Sequence, residues 1–233
     1  MKKVLITIVL AISFLFVACN NGSKSDNTGT KNPVQVEKNI GEKAKDKEQQ
    51  PKGTNKYVVA SNSKVTWIGS GPLDKNNGTL DITEGSLLVA NGVIKSANFT
   101  INMRSVKVLN LNANGNESLA EHLRSSDFFF ASKFPEASFE MTSIKEYVKN
   151  ETDKLKIENP THIVTGNLAI KKIPHSIEFP ASIIIDDGKI TAKASFNINR
   201  LKWNVLYGND KLMGDMFISP TVNVGFDITA EKQ

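Results

Sequence analysis

The 233-residue chain has one cysteine, Cys19, and three histidines. A lone thiol cannot close an internal disulfide, so any folded domain must be held by packing. His122, His162 and His175 lie on separate segments without the short spacing of a metal site, and Ser61 and Ser63 have no base beside them. The sequence therefore offers no catalytic constellation, no metal site and no cofactor motif. Long apolar runs are also scarce. Only residues 4–17 are uncharged and mostly apolar, short of the roughly 20 residues that cross a bilayer. A charge excess is missing where it would matter. Of the net +5, Lys2 and Lys3 carry two, and residues 20–56 hold eight lysines against five acids. Residues 57–233 carry 19 basic and 19 acidic groups, a balance that leaves no footprint for nucleic acid.

What is present begins with a leader. Lys2 and Lys3 followed by the apolar run read as a signal peptide over residues 1–18. Leu15-Phe16-Val17-Ala18-Cys19 resembles a bacterial lipobox, with Phe16 where leucine is commoner. That predicts Cys19 as the lipidated first mature residue, anchoring the chain to a membrane on the periplasmic side or at the outer membrane of a bacterial envelope. Residues 20–56 are dominated by Asn, Gly, Ser, Lys and Glu, and bury too little to offset ordering entropy. They read as a flexible tether spanning about 33 Å by coil scaling.

From Tyr57 the pattern alternates. Ala97, Phe99, Ile101 and Met103 interleave with polar neighbours. So do Ile177, Phe179, Ala181 and Ile183, then Ala192, Ala194, Phe196 and Ile198, then Val222, Val224, Phe226 and Ile228. Turns are predicted at Asn76-Asn77-Gly78, Glu84-Gly85, Asn91-Gly92 and Asp186-Asp187-Gly188. This is an all-β domain of long antiparallel strands, a sandwich or a barrel. Strands of eight residues or more favour a barrel, and eight strands leave an interior wide enough for one small ligand. The small Ala97, Ala181, Ala192, Ala194 and Gly166 could leave a lumen or interdigitate with the large residues in a dry core.

The stretch HLRSSDFFFASKFPEASF, residues 122–139, interrupts the strands. Asn116 is a plausible N-cap for a short helix through Leu119 and Leu123, and Pro135 marks entry to the next strand. Phe128, Phe129 and Phe130 then fall in a helix-to-strand connection that can turn three rings inward, as a lid over a lumen or as a plug in a closed core.

The ordered motifs HLRSSDFF, FPEASFEMTSI, GNLAIKKIPHSIEFP, FNINRLKWNVLYGN and GDMFISPTVNVGFDITA resemble the YceI-like family of periplasmic polyisoprenoid-binding proteins. The resemblance covers nearly all of residues 57–230. It implies a lipocalin-like eight-stranded barrel whose tunnel holds an isoprenoid, quinone or fatty-acyl chain. The candidate lining is Trp67, Phe99, Ile101, Phe128, Phe129, Phe130, Phe139, Phe179, Phe196 and Trp203, with the two tryptophans equally suited to the core. His175 and Arg200 are the head-group candidates, Arg200 having a structural role beside Trp203 as its alternative. The family pattern has glycine at Lys172 and threonine at Pro174, so the hairpin at residues 170–175 is a point of departure. The expected partners are an apolar lipid and a membrane reached through Cys19, and a homodimer is compatible with the pattern. The competing reading is a closed barrel serving as an envelope interaction module.

Overall fold

The structure, a computed structural model, describes residues 53–150, 155–186 and 188–233. The predicted leader, Cys19 and the tether as far as Lys52 lie outside the described residues.

Nine strands form one antiparallel sheet: β1 (Thr54–Val59), β2 (Lys64–Ser70), β3 (Lys75–Ala90), β4 (Val93–Val108), β5 (Glu136–Glu146), β6 (His162–Ile170), β7 (Ile173–Asp186), β8 (Lys189–Asn199) and β9 (Thr221–Lys232). β3 and β4 also pair, which closes the sheet. Nine strands nevertheless make an eight-stranded barrel, because β1 and β2 share one position between β3 and β9. Tyr57 pairs with both Leu87 and Lys232, and Val65 pairs with both Leu80 and Phe226. The break between them is stitched by a side chain. The buried Ser63 hydroxyl donates to the Thr229 carbonyl at 3.1 Å and accepts from the Thr229 N–H at 3.0 Å, replacing the ladder bonds that the turn removes.

The barrel begins at Thr54, whose pairing with Ala90 puts the first three residues of β1 inside what composition assigns to the tether. The predicted alternation holds. Phe99, Ile101, Met103, Phe179, Ala181, Phe196, Val224, Phe226 and Ile228 are all buried. Among the predicted turns, Asn91-Gly92 joins β3 to β4, and both residues carry the positive φ that a two-residue hairpin requires. The Asp186 turn closes with Asp186 opposite Lys189.

Two turn predictions are corrected, since Asn76-Asn77-Gly78 and Glu84-Gly85 lie within β3. The glycines serve close approach instead. A Cβ at Gly78 would stand 1.7 Å from the Lys107 carbonyl oxygen, and one at Gly85 would stand 2.8 Å from the Phe99 Cβ. Both flank register shifts in the β3–β4 ladder, where bulges bend the long strands around the barrel.

Helix α1 (Ala113–Arg124) follows β4. Its N-cap is Asn112, whose side chain accepts from the Gly115 N–H, rather than Asn116. Asn116 lies inside the first turn and accepts from the Leu111 N–H at 3.0 Å. The β6–β7 hairpin, where Lys172 and Pro174 depart from the family pattern, is a tight two-residue turn. Lys171 and Lys172 both take the left-handed region without glycine, at φ 52° and 61°. Lys171 is held there by donating its ammonium to the carbonyls of Phe128 at 3.3 Å and Asn204 at 2.8 Å.

Candidate functional site: an apolar chamber

One end of the barrel holds a cavity of about 500 Å³. Its wall comes from alternate residues of the strands, including Val65 and Trp67 of β2, Ile101 and Met103 of β4, Leu168 of β6 and Phe226 of β9. α1 lies across this end and contributes Leu119, His122 and Leu123, and the segment after it contributes Phe128 and Phe129. The irregular chain between β8 and β9 completes the enclosure with Trp203, Val205, Tyr207, Phe217 and Ile218. The cavity reaches solvent between the β2–β3 connection and the short 3-10 turn Lys211–Met216. There the lining residues Leu73 and Met216 are 74% and 62% exposed.

The predicted lid is two rings, not three. Phe128 is buried and packs against His122 and Tyr207 at centroid distances of 5.0 and 5.1 Å. Phe129 is half-buried on the cavity wall. Phe130 does not line the cavity. Its φ of 50° turns its ring away to Phe134, 6.1 Å distant, while its N–H closes the turn onto the Ser125 carbonyl.

The candidate lining divides in the same way. Trp67, Ile101 and Trp203 face the chamber with Phe128 and Phe129. Phe99, Phe139, Phe179 and Phe196 do not. With Phe226 they form an aromatic cluster across the barrel, in which Phe226 meets Phe99 at 5.0 Å, Phe196 at 5.4 Å, Phe179 at 5.5 Å and Phe139 at 5.6 Å. Beyond that cluster lies a second cavity of only about 60 Å³, lined in part by Ala97, Ala181, Ala192 and Ala194. Those small residues thus border the minor space, and the main chamber sits at the opposite end. Gly166 belongs to the cluster: a Cβ there would fall 2.4 Å from the Phe139 ring.

The head-group candidates sit as structural members. Arg200 is 5% exposed and lines the chamber, but its guanidinium is engaged by three carbonyls. Nε donates to Ser219 at 3.0 Å, Nη1 to Val205 at 2.6 Å and Nη2 to Ile218 at 2.8 Å. Burial pushes its pKa below the ordinary arginine value. His175 is outside the lining. Its Nε2 donates to the Lys202 carbonyl at 2.9 Å, and its ring meets Trp203 edge-on at 5.1 Å. Trp203 in turn donates its indole N–H to the Leu168 carbonyl at 3.0 Å, which fixes the ring in the wall.

The charged side chains at the mouth are acidic, Asp74 and Asp215. His122, another lining residue, pairs through Nε2 with Asp127 Oδ2 at 3.1 Å. In the sequence His122, Tyr207, Asp215 and Met216 stand inside the family motifs, with nothing in those motifs that marks them as lining. The helical spacing from Leu119 to His122 and Leu123 puts those three on one face, a signal available in the sequence. Among the described residues no three His, Cys, Asp or Glu side chains gather as a metal site.

A closed antiparallel barrel with an apolar chamber open at one end is a calyx of the lipocalin type. The particular family follows from comparison with known proteins. The YceI-like domain model matches residues 57–230, and the chain belongs to that family. Among solved structures it is similar to BcnA from Burkholderia cenocepacia, at 19% identity and a TM-score of 0.54, covering 72% of this chain and 95% of that one. It is also similar to a polyisoprenoid-binding domain from Saccharophagus degradans implicated in plant cell wall breakdown, at 15% identity and a TM-score of 0.53, covering 76% and 98%. At these identities the likeness is one of fold. No curated protein matches the chain.

Proposed function

We propose that the protein binds an apolar-chain lipid, a polyisoprenoid, isoprenoid quinone or fatty-acyl compound, in the chamber and carries it within the cell envelope. The single observation behind this reading is the cavity of about 500 Å³, walled mainly by apolar side chains and open at one end. Membership of the YceI-like family and the polyisoprenoid-binding description of the Saccharophagus domain support the ligand class. The protein acts by binding and not by catalysis. Water is not the competing phase for such a ligand. The roughly 0.8 kcal/mol gained per methylene on leaving water is nearly cancelled when the donor is a bilayer. Affinity then rests on fit, and delivery rests on proximity, which an acylated Cys19 and a long tether would supply as effective concentration.

The mouth favours an uncharged head group. Its charged residues are Asp74 and Asp215, and the nearest buried cation, Arg200, already donates to three carbonyls. A diphosphate would meet two like charges in the lining, and the donors of the buried Arg200 are already committed to carbonyls. The test is native mass spectrometry of the full chain purified from membranes, followed by solvent extraction and lipid analysis. A stoichiometric neutral-headed lipid is expected. Finding no co-purified lipid, together with no quenching of Trp67 and Trp203 by added prenols, quinones or fatty alcohols, would remove the reading.

A further inference from the structure

We infer that the phenylalanine cluster is a septum that sets the length of chain this barrel accepts, with Phe226 as its central ring. The inference rests on the lipid-binding reading above and specifies the ligand within it. Rings from five strands converge here: Phe99 from β4, Phe139 from β5, Phe179 from β7, Phe196 from β8 and Phe226 from β9. Phe226 lies within 5.6 Å of each of the other four, and Phe179 stacks on Phe196 at 4.4 Å and 10°. It is the one ring of the five that borders both the chamber and the second cavity.

Two features distinguish a partition from ordinary core filling. Space exists on both sides of the rings, about 500 Å³ above and about 60 Å³ below. Four alanines, Ala97, Ala181, Ala192 and Ala194, stand among the larger residues of the wall below and leave that space unfilled. Removing the central ring would therefore join the chamber to a prepared extension instead of collapsing a packed centre.

The size of the chamber sets the length. At about 30 Å³ for each water-sized heavy atom, the upper space takes roughly 17 atoms, a chain of three to four isoprene units. Longer chains must either leave their remaining units at the mouth or displace Phe226. The chamber thus selects short isoprenoids, or acyl chains of similar atom count, over the long polyprenyl carriers.

The experiment measures binding of a series of prenols, from two to nine isoprene units, to the full chain, read by fluorescence of Trp67 and Trp203, which both face the chamber. For the wild type, affinity should rise at least about tenfold per unit as carbons are buried and stop rising by the fourth unit. Phe226→Ala should move that break to longer chains by one unit or more. Phe226→Leu, which keeps an apolar filler and protects folding, should move it in the same direction by less. Affinity that keeps rising to nine units in the wild type overturns the septum and leaves the binding function standing. So does a break that neither variant moves. Wild-type protein that binds no prenol, quinone or fatty alcohol of any length overturns the function itself.

Discussion

Replacing Arg200 by leucine separates two roles that the sequence leaves open for this residue. In the structure the guanidinium ties the chain after β8 to the chain before β9, by donating to the carbonyls of Val205, Ile218 and Ser219. Leucine fills much of the same volume and offers no donor, so three carbonyls lose their partner. A hydrogen bond to a charged group contributes about 1.5–3 kcal/mol net, although the desolvation of a buried cation offsets part of that. Each buried carbonyl left without a donor costs about 1–3 kcal/mol, and with the relief of no longer burying a cation set against the three losses we expect Arg200→Leu to cost about 3–5 kcal/mol. Against a total stability of roughly 5–15 kcal/mol, the variant should still fold, with a clearly lower urea midpoint and an unchanged slope. Buried Trp203 provides the fluorescence signal. Arg200→Lys should recover less than half of the loss, because a point-like ammonium cannot reproduce the planar fork. A stability loss below about 1 kcal/mol combined with abolished lipid binding would refute the structural role and return Arg200 to the head group.

Further outcomes are expected at the lid and the leader. Phe128→Ala with Phe129→Ala should release bound lipid more than it lowers the denaturant midpoint of the lipid-free protein, since both rings face the chamber. Phe130→Gly, at a positive φ outside the lining, should leave lipid content unchanged and stability within about 1 kcal/mol of wild type. Equal lipid loss in both variants would show that the turn as a whole, and not the two rings, holds the ligand. Trypsin should digest the chain as far as Lys52 and stall at β1, and a protected fragment starting well before Thr54 would contradict the tether. Labelled palmitate should enter the wild type and not Cys19→Ser, and its absence from both would end the anchoring proposal.

The barrel was legible because strand alternation is a local property. Residues such as Phe99, Phe179 and Phe226 declare their inward face through the polar neighbours on either side. Their division between a chamber and a septum was not legible, because alternation fixes the face of a residue and not its height along the barrel axis. Height follows from shear and register, set here by bulges in the β3–β4 ladder that no single strand encodes. The glycines that mislead as turns, Gly78 and Gly85, owe their place to the close approach of β4, which the residue types around each glycine do not reveal. The mouth was illegible for a further reason. Residues 204–218 follow no strand or helix period, so Tyr207, Asp215 and Met216 stand in the family motifs without a position in space, and Arg200 could be seen beside Trp203 without the three carbonyls that occupy it.

The shared position of β1 and β2 bears on how the chain can fold. Both strands complete their pairing against β9, and the Ser63 hydroxyl reaches Thr229 across 166 residues of sequence. Contacts of such separation form late, after most of the loop-closure entropy has been spent. Until Thr221–Lys232 has arrived, β8 on one side and β1 and β2 on the other present unpaired edges, open to pairing with another chain. The strand that ends this exposure also brings Phe226. Closure of the wall and partition of the lumen are consequently a single kinetic event, and a nascent chain halted before β9 has neither.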